Sequence, residues 1–221
     1  MIRFENVYKR YPNGRAALAS VSFRLERGEM AFLTGPSGSG KSTLLKLIAL
    51  IERPSRGTVL VGNQNTSRVQ HRRVPHFRRR LGVVFQDNKL LSDRTVFDNV
   101  ALPLVIAALR RREIGRRVRA ALDQVGLLGY EKHSPVALSS GEQQRVGIAR
   151  AIASRPELVI ADEPTGNLDP ELSKEILGLF ERFNEVGVTI LIATHDVGLI
   201  EEHQHKRLRL DGGKVVPEHL E

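Results

Sequence analysis

The sequence predicts an α/β fold. It has a parallel-sheet core around a phosphate-binding loop, a helical insertion in mid-chain and an antiparallel β region at the N-terminus. Three observations carry this reading. Short apolar runs at 30–34, 81–85, 158–161 and 188–193 read as strands, the first of them fully buried. The first run enters GPSGSGKS at 35–42, which fits G-x-x-x-x-G-K-[ST] at every fixed position. Between 86 and 153 the pattern changes to helical periodicity with arginine-rich faces.

Taken in order, residues 2–7 and 21–25 alternate apolar with polar, as half-buried strands do, and Asn13-Gly14 marks a turn between them. The strand at 30–34 and the glycine loop lead into an apolar stretch, 44–51, read as a helix that ends near Arg53-Pro54. Residues 57–61 and 81–85 read as further strands. Within the insertion, 113–125 and 142–153 are the clearest helices. Strand signals return at 158–161 and 188–193, flanking a helix at about 171–185, and 207–216 reads as a hairpin around Asp211-Gly212-Gly213. A single domain over 1–221 is expected. Its core comes from 1–86 and 154–221, and its helical subdomain from 87–153.

Composition bounds the chemistry. With 41% hydrophobic and 27% charged residues the chain should fold, and with 5% aromatics and no Trp its core must be mainly aliphatic. The absence of cysteine excludes disulfides, thiolate zinc sites, iron–sulfur clusters and a cysteine nucleophile. Thirty-four Lys and Arg against 25 Asp and Glu give +9, which points to phosphates nearby: nucleotide, nucleic acid or anionic lipid. The N-terminal stretch is charged throughout and does not read as a signal peptide. The longest apolar runs reach about half of the roughly 20 residues a spanning helix needs, so membrane association is expected through a partner or surface charge. Two arginine clusters stand out: Arg68, Arg72, Arg73, Arg78, Arg79 and Arg80, then Arg110, Arg111, Arg112, Arg116, Arg117 and Arg119. They suit solvated helix faces or anionic inner-leaflet lipid. Nucleic acid is not expected, for lack of zinc ligands, a long heptad run or a separate DNA-reading motif. His203 and His205, two apart with no third ligand type nearby, read as solvated and not metal-binding.

The loop glycines let successive N–H groups face phosphate oxygens, and the helix that follows adds its positive end. Lys41 would reach the β- and γ-phosphates and Ser42 would ligate Mg²⁺. A dinucleotide fold competes because Gly38-Ser39-Gly40 begins a G-x-G, but Thr43 stands where helix–strand packing needs a third glycine. The strand at 158–161 delivers Asp162 and Glu163 at its C-terminal end, where α/β sheets place ligand chemistry. Asp162 would hold Mg²⁺, directly or through water, and Glu163 would polarise an attacking water. The metal and Lys41 would offset their repulsion.

With Leu138-Ser139-Ser140-Gly141-Glu142 just before a helix, and Asn167-Leu168-Asp169 and His195 downstream, the sequence resembles the ATP-binding-cassette (ABC) ATPases over essentially its whole length. The resemblance implies the P-loop NTPase core of that family. It makes Tyr11 the adenine-stacking aromatic, Gln86 the Q-loop, 138–142 the signature, 166–169 the D-loop and His195 the switch histidine. It thus implies ATP bound by Tyr11, Gly35, Pro36, Ser37, Gly38, Ser39, Gly40, Lys41, Ser42, Thr43, Ser139, Gly141 and Glu142. Glu163, His195, Gln86 and Lys41 become the catalytic set, and Ser42, Gln86 and Asp162 the Mg²⁺ ligands. It also implies an ATP-dependent head-to-tail homodimer, the signature of one subunit closing on the γ-phosphate held by the other. Ser139 followed by Glu142 is a capping box as well, and a capped N-terminus is also an anion site. Ser140 stands in place of the family's usual second glycine.

Stretches 28–34, 85–104 and 141–151 resemble the family's bacterial cell-division ATPases most. That implies an ATPase on the cytoplasmic face of the inner membrane, at the septum, bound to an integral membrane subunit and controlling cell-wall hydrolases. Lipoprotein-releasing or macrolide-export ATPases are the alternative, and a soluble nucleic-acid-associated ATPase a more distant one. Residues 87–104 mix Asp87, Asp93 and Asp98 with Leu90, Leu91, Val96 and Phe97, which suits a groove for a partner's short helix.

Overall fold

The computed structural model describes residues 1–201 and 203–216, and two sheets divide its interior. The first is antiparallel, in the order β2 (Ala16–Leu25), β1 (Ile2–Arg10), β4 (Arg56–Val61), β5 (Gln64–Asn65). The second is in the order β10 (Lys214–Val216), β9 (Lys206–Asp211), β3 (Met30–Thr34), β8 (Thr189–Ala193), β7 (Leu158–Asp162), β6 (Leu81–Val84). Its strands run parallel from β9 to β6, with β10 antiparallel at the edge. The helices are α1 (Lys41–Ile48), α2 (Val74–Arg78), α3 (Val96–Ile106), α4 (Arg111–Gln124), α5 (Ser140–Ile152), α6 (Pro170–Glu185) and α7 (Val197–Glu201). This is the α/β class the sequence predicts, with an antiparallel N-terminal sheet beside a parallel core.

The core strands are apolar throughout because both faces are covered. Alternate residues of β3 serve two clusters. Met30 and Phe32 pack with α3 to α6, while Ala31 and Leu33 pack with α1 and the antiparallel sheet. Val159 and Ala161 of β7 and Ile190 and Ile192 of β8 join the first cluster. Leu158, Ile160, Leu191 and Ala193 join the second.

Several elements differ from the sequence reading. β1 extends three residues beyond Val7: burial still alternates there, but the buried position is Lys9, paired with Glu52, and the exposed one Tyr8, so the polarity pattern does not reveal the strand. α1 begins at Lys41, not at 44, since left-handed Gly40 starts the helix inside the phosphate-loop motif. α3 contains Pro103 and is capped by Thr95 and Asp98 in a reciprocal box. Val96, Val100 and Leu104 on it are buried and Leu90 and Phe97 pack against them, so much of the segment read as an exposed groove is core. His203 and His205 are not simply solvated. Their rings lie nearly parallel, 10° apart, with His203 Nδ1 2.7 Å and His205 Nε2 3.4 Å from Glu181 Oε1. Among the described residues no group of three His, Cys, Asp or Glu is arranged to hold a metal, and no helix is long and apolar enough to cross a membrane.

Candidate active site

The site grows from the C-terminal ends of β3, β7 and β8. Between β3 and α1, Gly35, Gly38 and Gly40 adopt φ of 140°, 78° and 111°. A Cβ at Gly35 would collide with the Leu210 carbonyl, and one at Gly40 would lie 2.5 Å from that of Ala17. Only glycine allows this backbone, and the loop wraps around the Lys41 ammonium. Lys41 Nζ is buried, donates to Gly35 O at 2.7 Å and Pro36 O at 3.4 Å, and lies 3.6 Å from Glu163 Oε1. Ser39 Oγ is also buried in the loop and has no partner.

Glu163 leaves β7 with φ 48°, a left-handed conformation unfavourable for glutamate, while its N–H donates to Ala193 O of β8 at 2.8 Å. The side chain, 12% exposed, is thereby aimed between two partners. Lys41 lies on one side. On the other, His195 approaches with its backbone N–H at 3.2 Å and Nδ1 at 2.8 Å from Oε2. The carboxylate accepts, so Nδ1 carries the proton and Nε2 is left for another group.

Asp162, one residue earlier, meets a different environment. Burial pushes its carboxyl above the ordinary range, and Ser42's hydroxyl, bonded to it, only partly offsets this. Its Oδ1 is buried without a hydrogen-bond partner. A buried carboxylate oxygen beside a serine hydroxyl, at the mouth of a phosphate loop, fits a hard divalent cation.

Tyr11 closes the far side. Its hydroxyl is 3.3 Å from Thr43 Oγ1, and Lys9 Nζ lies 5.1 Å from the ring centroid. Lys9 is anchored by Glu52 Oε2 at 2.7 Å and Arg53 O at 2.9 Å. The result is a cleft of about 800 Å³ lined by Tyr11, Pro36, Ser37, Gly38, Ser39, Gly40, Lys41, Ser42, Thr43, Gln86, Glu163 and His195. Arg15, Lys46 and Glu52 line it too, though nothing in their sequence neighbourhood marks them.

Ser139, Gly141 and Glu142 do not line this cleft. They form the start of α5, where Ser139 Oγ accepts from Glu142 N at 3.3 Å and Ser139 N donates to Glu142 Oε2 at 2.8 Å. The backbone N–H and the hydroxyl of Ser139, both bonded to Oε2, hold the Glu142 carboxyl below its ordinary range. Ser140, exposed beside them, lines a smaller hollow with Gln86, Glu163 and Asn167. Asp169 caps α6 through Leu172 N at 3.0 Å.

A phosphate loop, paired carboxylates and a histidine on one parallel sheet define a nucleotide-hydrolysing class, and comparison with known proteins narrows it. A family model described as ABC transporter matches residues 18–166. The chain belongs to that family and is an ATP hydrolase of the ABC type. It is similar to the cell division ATP-binding protein FtsE of Escherichia coli (strain K12), 58% identical over 215 residues that cover 97% of each chain. Among solved structures, it resembles the dimeric structure of MJ0796, a bacterial ABC transporter cassette. The TM-score is 0.90 at 35% identity, over 98% of this chain and 97% of that one. A post-hydrolysis dimer of that cassette, bound to ADP and Pi, matches with a TM-score of 0.89 at 34% identity, again over 98% and 97%.

Proposed function

We propose that the chain is the ATP-hydrolysing subunit of a membrane-bound ABC-type complex that acts in cell division. Its partner would be an integral membrane subunit of the FtsX kind, and the site of action the inner face of the membrane at the septum. The observation that carries the reading is the position of Glu163, held between Lys41 and His195 at the rim of the phosphate-loop cleft. The names of the similar proteins support the cell-division assignment.

The adenine would stack on the face of Tyr11 away from Lys9, and the phosphates would take the N–H groups of residues 37–43. Lys41 would exchange its carbonyl partners for β- and γ-phosphate oxygens. Ser42, Asp162 and Gln86 would hold Mg²⁺, which supplies positive charge to the phosphates. Glu163 accepts hydrogen bonds already and would orient the attacking water and draw off its proton. His195, anchored through Nδ1, has Nε2 left for the γ-phosphate. Ser139, Gly141 and Glu142, away from their own cleft, would meet the nucleotide of a second subunit in an ATP-dependent dimer.

The test is Glu163→Gln, which preserves shape and removes the charge. Turnover should fall by roughly a hundredfold or more, with ATP binding retained and the membrane subunit still co-purifying. Unchanged turnover would make Glu163 structural, and no membrane protein recovered from detergent-solubilised cells would end the complex assignment.

A further inference from the structure

The two arginine clusters divide into residues with structural duties and residues without. Arg78 donates to the carbonyls of Ala49 and Leu50 just past the end of α1, at 3.1 and 2.9 Å. Arg80 pairs with Glu157, Arg117 with Glu113 and Arg119 with Glu131. Arg68, Arg73, Arg110, Arg111, Arg112 and Arg116 are exposed and have no ion-pair partner among the described residues.

One contact joins the clusters. Arg79 Nη2 donates to Ile106 O at 2.8 Å, which brings the basic segment at 71–79, α2 included, to the C-terminal end of α3. There Val105 and Ile106 stand 57% and 56% exposed, and the chain runs on directly into Arg110, Arg111 and Arg112. Neither 66–80 nor 99–112 contains a single Asp or Glu. The outcome is an exposed aliphatic pair between hydrogen-bonded Arg79 and the unpaired Arg110, Arg111 and Arg112, with no acidic residue in either stretch.

We propose that this surface docks onto the headgroups of an anionic bilayer. The idea rests on the chain being the ATPase of a membrane-bound complex. Guanidiniums suit lipid phosphates, and the aliphatic pair suits the headgroup–acyl boundary, as in interfacial protein segments. Duplex DNA would satisfy the arginines but has no use for exposed Val105 and Ile106. Each arginine near an anionic surface contributes about fivefold in partitioning, so the patch alone binds weakly. Tethered by a membrane partner, it would orient the ATPase against the leaflet.

The experiment uses the full chain and sedimentation with vesicles of equal parts phosphatidylglycerol and phosphatidylcholine, against phosphatidylcholine alone. Two variants remove the same charge: Arg111→Ser/Arg112→Ser from the patch and Lys132→Ser/Lys214→Ser from elsewhere. The first should lose about 25-fold in binding to the anionic vesicles and the second less than threefold. Val105→Ser/Ile106→Ser should weaken binding and leave its salt dependence unchanged. ATP hydrolysis should be unaltered in all three, since none touches the cleft. Equal losses in both charge variants, equal binding to neutral vesicles, or displacement of the protein from vesicles by duplex DNA would overturn the proposal. Co-purification with the membrane subunit reads the underlying assignment separately, so the two can fail independently.

Discussion

Asp162 and Glu163 are adjacent carboxylates with opposite circumstances. Glu163 is satisfied by Lys41 and His195, whereas Asp162 is half-buried with one buried oxygen unpartnered and its carboxyl pushed above the ordinary range. A raised folded-state value means that the native state binds the proton more tightly than the unfolded chain. The group's contribution to stability is therefore full below the ordinary carboxylate range and is lost as pH rises through the raised value. At neutral pH without nucleotide, the raised value makes Asp162 a liability. Asp162→Asn should thus leave the melting temperature of the nucleotide-free protein unchanged or higher at pH 7, and flatten its rise on acidification. The same change should abolish the Mg²⁺ dependence of ATP binding. A melting temperature several degrees lower would mean that Asp162 is a structural acceptor and not a cation ligand. Tyr11 offers a second check. Its ring is backed by Lys9 and would hold the base alike in ground and transition states. Tyr11→Ala should raise the KM for ATP by roughly fivefold, about 1 kcal/mol, while sparing kcat.

At the scale of elements, the start of α5 combines two duties that variants can separate. Ser139 and Glu142 satisfy each other's backbone N–H groups, so Ser139→Ala should cost about 1 kcal/mol of stability, read by urea unfolding. Ser140 is exposed, and Ser140→Gly should leave ATP-driven dimerisation unchanged. Gly141 has less room, because a Cβ there would lie 3.1 Å from Leu172 Cδ1. This capping box was legible in sequence because it is local, spanning four residues. So were the core strands, since a sheet covered on both faces leaves no polar residue to break an apolar run. The phosphate loop was legible because its glycines answer to backbone geometry that no other residue tolerates. What could not be read depends on distant partners. Beyond Val7, β1 buries Lys9 and exposes Tyr8, which inverts the expected polarity, and the proline and apolar surface of α3 hid its amphipathic face. Arg15 and Glu52 reach the cleft only through the packing of the antiparallel sheet and α1. His203 and His205 gained their acidic neighbour from α6, more than twenty residues earlier in the chain.

At the scale of the whole molecule, the residues proposed to bind nucleotide fall in two separate places on one chain. The cleft holds the phosphate loop, Glu163 and His195, whereas Ser139, Gly141 and Glu142 lie outside it. If two chains meet head to tail, each nucleotide takes its loop from one subunit and its signature from the other. That arrangement predicts complementation. Lys41→Ala disables the loop of its own chain and leaves its signature intact. Gly141→Asp places a carboxylate against the opposite subunit's γ-phosphate and leaves its own loop intact. Both are best read in a Glu163→Gln background, where slow hydrolysis preserves the ATP-bound state. Neither variant alone should form dimers with ATP, because every site in its homodimer carries the lesion. A mixture should form them, because each mixed dimer has one site with sound loop and sound signature and one site with both defects. Sedimentation should show dimers only in the mixture and only with ATP, each retaining one nucleotide where the Glu163→Gln dimer retains two. The affinity should be weaker than that of the Glu163→Gln dimer, since one bridging nucleotide replaces two. A mixture that stays monomeric at concentrations where the Glu163→Gln chain is fully dimeric would argue against shared sites, and dimers of either variant alone would remove Lys41 or Gly141 from the interface chemistry.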